Sequence, residues 1–279
     1  MKSAALWEPG DIGCFVGLPD DVYHSAPGVS QSQLKLTARS PRHFLEALIT
    51  PRKPSPELMM GTLTHHMLLQ PDAPLPQFAV RPEGFVGTST EGRAWLKAQR
   101  EAGVVVLDRD EWDRTLGMVK AIGEHPHVGP MIRSGTPEVS LFWEARATSV
   151  PHRPLLCKAR LDVVPSGNAL IDIKTVHSDA RQFAETIIEH GYDVQFGSYG
   201  AAWNLLNPDD KRNAFVAVVV EKQPPHGVIA FNISPRVLQR GREGYAKLLD
   251  RYAEILEAGQ YPGYTTEFVP LDLPEWAYR

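Results

Sequence analysis

Apolar residues form three short, closely spaced runs in the middle of the chain, where the hydrophobic pattern is clearest. Residues 138–144, 155–164 and 169–175 are rich in branched and aromatic side chains, and turn-forming residues bound each run. Segments of this length and composition favour β-strands. Residues 166–168 (Ser-Gly-Asn) are typical of a tight hairpin turn. We therefore expect three successive strands here, the last two forming a hairpin.

The part of the chain after residue 176 combines helical periodicity with two further strand signals. Residues 213–221 form an unbroken apolar run, which is typical of a strand buried on both faces of a sheet. Residues 228–233 are expected to form a strand as well. The helical patterns cover residues 179–189, 193–206 and 235–258.

The first half of the chain is mostly helical by its pattern. Ser30 and Ser40 stand where helix N-caps are expected, and Pro41 suits a first helical position. Turn signals before residue 30, and Pro and Gly residues at 71–90 and 124–137, predict exposed or turn-like segments. The predicted helices cover residues 31–37, 42–49, 57–69, 91–102 and 108–124.

The order of these elements predicts the fold class. Helices come first, then three strands, two helices, two strands and a long helix, which favours an α/β fold with a mixed central sheet flanked by helices. The length of 279 residues fits a single domain. We expect N-terminal loop and helix elements at residues 1–56 and a core at residues 57–279, with a helical insertion at about residues 90–125.

Composition narrows the classes of protein. With 43% hydrophobic and 22% charged residues, the chain has enough apolar material for a packed core, which excludes predominant disorder. No apolar stretch approaches the roughly 20 residues that cross a bilayer, so we expect no membrane partner and a cytoplasmic location. A net charge of −4 weighs weakly against nonspecific coating of nucleic acid, and two cysteines exclude a disulfide framework.

Charged residues interrupt two of the predicted strands. Asp162 lies in one apolar strand, and Asp172 and Lys174 lie in the next, with nine residues between the two aspartates. Across such a hairpin both aspartates can face one side, and side chains two residues apart leave the same face of a strand. Carboxylate oxygens suit Mg²⁺ or Mn²⁺, which can polarise a phosphodiester and lower the pKa of bound water. Lys174 could then hold or deprotonate the attacking water.

A purely structural interpretation of these three residues stays open. An Asp-x-Lys pair on a strand most often forms a surface salt bridge, and the three side chains could form only an ion network. The apolar surroundings favour the catalytic hypothesis, because an unpaired carboxylate in an apolar strand is costly.

The same residues resemble the core of the PD-(D/E)XK nucleases, which have a restriction-endonuclease-like fold. The resemblance rests on residues 161–163 (Leu-Asp-Val) and 171–175 (Ile-Asp-Ile-Lys-Thr), and it runs from about residue 20 to the end of the sequence. The flanking motifs resemble the branch that contains the RecB and RecE nucleases, and RecE-type phage exonucleases (exonuclease VIII-like) in particular. These motifs lie at residues 28–34, 40–41, 61–65, 139–144, 195–199 and 273–276.

The resemblance implies a set of metal ligands. His65, Asp162 and Asp172 would bind the metal, and the carbonyl of Ile173 would complete its shell. The implied cofactor is Mg²⁺, and a histidine ligand favours tolerance of Mn²⁺. Lys174 would assist the attacking water. A histidine beside a buried helix is, on the other hand, often only a hydrogen-bonded structural residue.

Further positions match the family less specifically. Gln195, included in the implied catalytic set, and Tyr199 would hold the side of the nucleophile or a DNA phosphate, although Tyr199 could equally be a core residue. Glu138 matches a frequent glutamate on the first strand, and its role is left open. Ser40 stands where some relatives have an iron–sulfur cysteine, so no iron–sulfur cluster is expected.

Basic residues cluster in the predicted N-terminal helices and the connector that follows them. Such a cluster could track a DNA backbone, although charges on short helices are often only solvated. The DNA-binding candidates are Lys35, Arg39, Arg42, Arg52 and Lys53, with His43 in the same cluster.

The resemblance implies a double-strand DNA exonuclease that degrades from 5′ to 3′ and leaves 3′ single-stranded tails for phage-type recombination, in a bacterial or phage-infected cell. No Walker-type phosphate-binding sequence is present, so no ATP is expected. The implied partners are linear duplex DNA, a single-strand-annealing protein of the RecT type, and further copies of the chain in a ring such as a tetramer.

Two other functions compete with this hypothesis. One is a RecB- or Cas4-like nuclease that acts on single strands or flaps with a partner helicase. The other is a non-catalytic protein that binds DNA ends and keeps the fold without the chemistry.

Overall fold

The structure is a computed structural model that describes residues 1–50 and 55–278. The DNA-binding candidates Arg52 and Lys53 lie outside the described residues.

A mixed eight-stranded sheet forms the centre of the molecule. Its spatial order is β1-β2-β6-β7-β8-β9-β10, with β3 added beside β7. The strands β6, β7 and β8 are joined antiparallel, whereas β8 and β9 run parallel. The strands of this sheet are β1 (Lys2–Ser3), β2 (Gly13–Val16), β3 (Val29–Ser30), β6 (Thr136–Arg146), β7 (Pro154–Val164), β8 (Ala169–Val176), β9 (Ala214–Glu221) and β10 (Val228–Asn232); β4 (Phe78–Val80) and β5 (Val105–Leu107) form a separate parallel pair.

Helices cover both faces of the sheet, which confirms the predicted fold class. Phe215, Ala217 and Val219 of β9 belong to the core cluster on one face, and Val218 and Val220 to the cluster on the other. The unbroken apolar run therefore predicts this strand correctly, because a strand covered on both sides has no polar face. The helices are α1 (Asp20–Ser25), α2 (Gln31–Thr37), α3 (Pro41–Ile49), α4 (Pro56–Leu69), α5 (Thr90–Glu101), α6 (Arg109–Glu124), α7 (Val128–Ser134), α8 (Phe183–His190), α9 (Tyr192–Leu206) and α10 (Pro235–Ala258).

Two N-caps begin the helices α2 and α3 as the sequence predicts. The Ser30 hydroxyl accepts from Gln33 N, and the Gln33 side chain accepts from Ser30 N in return. The Ser40 hydroxyl accepts from His43 N at 3.2 Å and lies 2.6 Å from His43 Nδ1. Because each cap satisfies an N–H that the helix itself leaves open, both short helices gain stability.

The insertion after α4 is not purely helical. The prediction of an exposed excursion at residues 71–90 is wrong in part, since β4 lies there and pairs with β5. Helices α5 and α6 follow β4 as expected. Phe78 of β4 packs against Trp112 of α6 with ring centroids 5.1 Å apart, so a distant aromatic contact stabilises a strand of only three residues.

Three further elements contradict the predicted loops. Helix α1 begins at the residues that were predicted to form a turn, β2 forms near the start, and α7 occupies the predicted turn at residues 124–137. In α7 a Cβ at Gly129 would lie 2.3 Å from the Gly123 carbonyl of α6. This glycine therefore permits a close approach of two helices, and Pro130 lies in the first turn, where no N–H is required.

The predicted helix at residues 179–189 is present as α8, but its first turn is a separate 3₁₀ turn at Ala180–Gln182. No helix in the described residues is long and apolar enough to cross a membrane.

Candidate metal centre and active site

The sheet opens between β7 and β8 at the predicted acidic residues. The register pairs Val163 with Ile171, which puts Asp162 opposite Asp172. Beyond this point the Ile173 amide donates to Asp162 Oδ2 at 2.6 Å, so a side-chain carboxylate takes the place of a backbone acceptor from β7. Both aspartates thus lie at the mouth of this opening, as the hairpin predicts. The N–H and C=O of a strand residue point to the same neighbour, so the Ile173 carbonyl also faces the β7 side.

His65 and Glu138 complete an acidic pocket around Asp162. His65 lies on α4, and its Nδ1 is 3.6 Å from Asp162 Oδ2. One ligand atom each from His65, Glu138 and Asp162 lie within 4.8 Å of one another. Glu138 has φ of 49°, a left-handed conformation that is unusual for a non-glycine residue within a strand and often marks a functional position.

Asp172 and Lys174 form a buried ion pair beside this pocket. Lys174 Nζ lies 2.5 Å from Asp172 Oδ2, and Asp172 is 2% exposed. The Gln195 amide of α9 donates to Asp172 Oδ1 at 2.8 Å. Lys174 Nζ also lies over the ring of Tyr192, 4.9 Å from its centroid. Each of these contacts restricts the position of the Asp172 carboxylate.

Burial and mutual repulsion shift the pKa values of the acidic groups. Burial raises the pKa of Glu138 to about 8, with a further increase from Asp162 that Arg160 opposes. Burial also raises the pKa of Asp172 to about 6, although Lys174 acts against it. Burial lowers the pKa of Lys174, but the attraction of Asp172 and Asp162 outweighs this and leaves the pKa raised. Lys174 is therefore protonated at neutral pH in this structure.

These residues fit a divalent cation. Carboxylates together with one imidazole are a suitable donor set for Mn²⁺ and, through the oxygens, for Mg²⁺. Asp172 Oδ2 is buried and accepts no hydrogen bond of normal geometry from the described residues, so it retains capacity for a further positive partner. Among the described residues, the group with metal-ligand spacing consists of His65, Glu138 and Asp162. Glu138, whose role the sequence left open, is thus a better placed candidate ligand than expected, and Asp172 stays a predicted one.

Arg160 connects the acidic pocket to the start of α1. Its guanidinium forms an ion pair with Asp20, lies 3.5 Å from Glu138, and donates to the Leu18 carbonyl at 2.8 Å. It also stacks on the ring of Tyr23, 4.3 Å from the centroid. Arg160 therefore fixes both the start of α1 and the side chain of Glu138.

Sequence reasoning missed Arg160 and Tyr192. The strand alternation contains a signal for Arg160, because residues 158, 160 and 162 share one face of β7, and all three line the same cleft. Tyr192 gives no local signal, since its contact with Lys174 depends on how α9 packs against the sheet.

The site lies in a cleft of about 970 Å³. Gln195 and Tyr199 also line this cleft, and Tyr199 is at the same time packed against the hydrophobic core. Lys35 on α2, Arg42 on α3 and Arg39 in the link between these helices are exposed, and they are not among the described residues that line the cleft. Lys35 Nζ donates to the His190 carbonyl, and Arg39 Nε donates to the Tyr264 hydroxyl. Their role in DNA binding remains a prediction.

This geometry agrees with a comparison against protein families. The family described as "PDDEXK-like domain of unknown function (DUF3799)" matches residues 30–269, which is most of the chain and includes the whole site. The chain belongs to this family. The resemblance to PD-(D/E)XK proteins is thereby confirmed, whereas the narrower RecE-type assignment is not tested by it.

A solved structure shares the fold of this DUF3799 chain. The crystal structure of a "Putative exonuclease" from Eubacterium rectale aligns with a TM-score of 0.62 at 14% sequence identity, over 94% of this chain and 98% of that chain. At this identity the similarity establishes the fold alone. No curated protein matches the sequence.

Two further solved structures align too weakly to carry an argument. SSO0001 gives a TM-score of 0.31 at 15% identity, over 69% of this chain and 85% of that chain. Rai1 from Scheffersomyces stipitis, in complex with (3'-NADP)+ and calcium ion, gives a TM-score of 0.30 at 8% identity, over 89% of this chain and 75% of that chain.

Proposed function

We propose that this chain is a divalent-metal-dependent nuclease that hydrolyses phosphodiester bonds of DNA. One observation carries the proposal: His65, Glu138 and Asp162 converge beside the buried Asp172–Lys174 pair in a single cleft. A packing role alone gives no reason to gather three acids in one opening of the sheet, because burial, and to a lesser extent repulsion from Asp162, raises the pKa values of Glu138 and Asp172 and costs stability.

The residues divide the chemical work between them. His65, Asp162, Asp172 and the Ile173 carbonyl, together with Glu138, would hold the cation. When bound, Mg²⁺ or Mn²⁺ would supply Lewis-acid polarisation of the phosphate and a lower pKa for water. Because Lys174 is protonated, its ammonium would stabilise negative charge that develops on the phosphate.

Gln195 and Arg160 would act through other residues. Gln195 donates to Asp172 Oδ1 and thereby restricts the rotation of a carboxylate that would hold the cation. Arg160 holds Glu138. Burial raises the pKa of Tyr199 well above its usual range, so its hydroxyl stays neutral and is suited to donating a hydrogen bond to a phosphate.

The finer proposal follows the family resemblance. The enzyme would be an ATP-independent exodeoxyribonuclease that degrades linear duplex DNA from 5′ to 3′ and leaves 3′ single-stranded tails for phage-type recombination. It would act in the cytoplasm of a bacterial or phage-infected cell, as a ring-like homo-oligomer, with an annealing protein of the RecT type. Neither ATP nor an iron–sulfur cluster would be required; the Ser40 hydroxyl serves as a helix cap.

A digestion time course on linear duplexes labelled at the 5′ or the 3′ end, with Mg²⁺ and no ATP, tests this proposal. We expect rapid release of the 5′ label, no cutting of a closed circular duplex, and a loss of roughly 100-fold or more in the variant Lys174→Ala. The variant Lys97→Ala, whose side chain is exposed on α5, serves as the matched control and should retain full activity.

The remaining outcomes separate the competing functions. Cutting of single strands or flaps alone would favour the RecB- or Cas4-like nuclease. Binding of DNA ends without cutting, in Mg²⁺ and in Mn²⁺, would favour the non-catalytic end-binding protein. If Asp172→Ala changed only the free energy of unfolding while activity remained, the site would be a structural ion network.

A further inference from the structure

Helix α4 contains a glycine, Gly61, at a position where the fold itself does not need one. Gly61 lies in the second turn of the helix, and a glycine weakens a helix interior relative to an alanine. A Cβ added there would have one neighbour within 4 Å among the described residues, Thr175 Oγ1 at 3.6 Å. Because this is an ordinary van der Waals distance, the packing of the described residues leaves room for a side chain at residue 61.

Most other glycines in the helices are required by close packing. A Cβ at Gly241 would lie 1.8 Å from the Asp193 carbonyl oxygen of α9, and a Cβ at Gly197 would lie 2.6 Å from the Leu238 carbonyl oxygen of α10. The close approach of α9 and α10 therefore excludes any larger residue at these two positions. Packing within the chain gives no such reason for Gly61.

Gly61 faces the candidate active site. It is half-buried, and together with Thr62 and His65 it lines the cleft. Gly61 and His65 are four residues apart, so they share one face of α4 and lie about 6 Å apart along its axis. The wall of the cleft therefore consists of bare main chain one helical turn from a predicted metal ligand.

The chemistry of this bare surface restricts what can bind to it. In the interior of an α-helix the main-chain N–H and C=O groups already pair with each other, so the surface at Gly61 offers no free donor to a phosphate. It offers Cα hydrogens and a shallow space, which suit close contact with the less polar part of a ligand. A phosphodiester held at the metal centre carries one deoxyribose on each side, and a sugar ring has such an edge.

We infer that the deoxyribose next to the scissile phosphate packs on the α4 main chain at Gly61, a contact that rests on the proposed nuclease function. A methyl group at residue 61 would push this sugar away from α4 and would move the phosphate relative to the metal ligands. Because a misplacement of about 1 Å can lower a rate by roughly 100-fold, the smallest side chain is enough to reveal the contact.

The variant Gly61→Ala tests this contact on two substrates, a linear DNA duplex and bis(p-nitrophenyl) phosphate, a phosphodiester without a sugar. We expect kcat/KM on DNA to fall by roughly 100-fold and hydrolysis of the small ester to continue at the wild-type rate. The affinity for Mn²⁺ should be unchanged, and the urea midpoint should equal or exceed that of the wild type, because alanine favours a helix.

The matched control is Gly200→Ala, in the interior of α9. A Cβ at Gly200 would meet no described atom within 4 Å, and Gly200 is not among the described residues that line the cleft. This variant gains the same methyl group in a helix and should cut DNA like the wild type.

Full activity of Gly61→Ala on DNA would overturn the inference and leave the proposed nuclease function intact. Equal losses on both substrates, or weaker Mn²⁺ binding, would also overturn it, because the methyl group would then disturb the metal centre itself. Where the small ester reacts too slowly to measure, the Mn²⁺ affinity makes this distinction.

A wild type that cuts no DNA would contradict the proposed function, and binding would then decide the inference. Fluorescence anisotropy of a labelled oligonucleotide with Ca²⁺ would compare the two variants. Weaker binding to Gly61→Ala than to Gly200→Ala would support the contact, whereas equal or absent binding would overturn it.

Discussion

Two regions depart from the usual distribution of side chains between the interior and the surface. One is the cleft at β7 and β8, and the other is the segment 265–278. In the cleft, Asp172 and Lys174 are charged groups withdrawn from water. In the segment, Phe268 and Leu271 are apolar groups left in water. Both arrangements cost free energy in the isolated chain. The first arrangement lies where we propose that a cation and a phosphate bind, whereas the second leaves apolar surface exposed to water in the isolated chain.

Lys158 shows that burial of a charge alone does not mark such a place. Its ammonium is buried, yet it donates to the carbonyls of Tyr23, His24 and Ala26 at 3.0, 3.0 and 2.7 Å. These acceptors lie at the end of α1, where a helix has open carbonyls and a partial negative charge. The fold therefore gives the Lys158 ammonium three hydrogen-bond acceptors, whereas Asp172 Oδ2 has the Lys174 ammonium as its ion-pair partner and accepts no hydrogen bond of normal geometry from the described residues.

The largest expected effect is a pH dependence of the free energy of unfolding, and it arises from the acidic residues of the cleft. Glu138 and Asp172 keep their protons to about pH 8 and about pH 6, compared with 4.5 and 3.8 for the unperturbed groups. The folded state therefore binds more protons than the unfolded state in this range, and the free energy of unfolding of the metal-free protein falls as the pH rises from about 4 to about 8.

Urea denaturation at several pH values, for the wild type and Glu138→Gln, measures this dependence. In the variant, the free energy of unfolding should decrease much less as the pH rises, and at pH 8 the variant should be more stable than the wild type. Equal slopes for the two proteins would contradict the assignment of a raised pKa to Glu138.

The second largest effect is expected for Lys158, whose buried ammonium donates to three backbone carbonyls. Lys158→Met removes three charge-assisted hydrogen bonds at the end of α1, and we expect the free energy of unfolding to fall by about 3 kcal/mol. Thermal and urea denaturation check this value. The exposed Lys211→Met serves as the control, and a loss as small as that of the control would mean that water replaces the ammonium without cost.

A smaller effect is expected for metal affinity. Glu138→Gln removes one carboxylate from the group with His65 and Asp162, which should weaken Mn²⁺ binding by roughly 10–100-fold, in the range found for changes around metal ligands. Calorimetric titration at pH 8 measures this, and Glu144→Gln, at the exposed far end of the same strand, is the control. Unchanged affinity in Glu138→Gln would remove Glu138 from the metal site.

The smallest effect on the free energy of unfolding is expected for substitutions in the exposed segment 265–278. At concentrations low enough for a monomer, the variant Phe268→Ser/Leu271→Ser/Trp276→Ser should change the free energy of unfolding by less than about 0.5 kcal/mol, as exposed positions do. A larger loss would mean that the segment packs on its own body, and the comparison with the cleft would then fail.

The sequence predicts those features whose cause is local. Strands β8 and β9 follow from apolar runs, and the opposition of Asp162 and Asp172 follows from the length of one hairpin. Helix α1 could not be predicted, because its last carbonyls are bound by Lys158, more than 130 residues later in the chain. The glycine and proline of α7 resemble a turn until the approach of α6 is known.

The residues of the candidate site also divide into those that a local sequence pattern predicts and those that depend on distant contacts. The residues of β7 and β8 are evident from strand periodicity, and His65 and Gln195 entered through the family resemblance. Glu138 was left open, because its position depends on a left-handed backbone angle that no periodicity reveals. The contact of Tyr192 with Lys174 depends on helix packing and is equally invisible in a linear pattern.

The hydrogen bond from the Ile173 amide to Asp162 gives the protein a built-in spectroscopic reporter. The donor is a backbone N–H and the acceptor is an oxygen of a predicted metal ligand, 2.6 Å away. Any ion that draws electron density from this carboxylate must weaken its acceptance of the amide proton. The amide resonance of Ile173 should therefore move upfield during a titration with diamagnetic Mg²⁺, so that occupancy of the site can be followed in the absence of DNA and of catalysis.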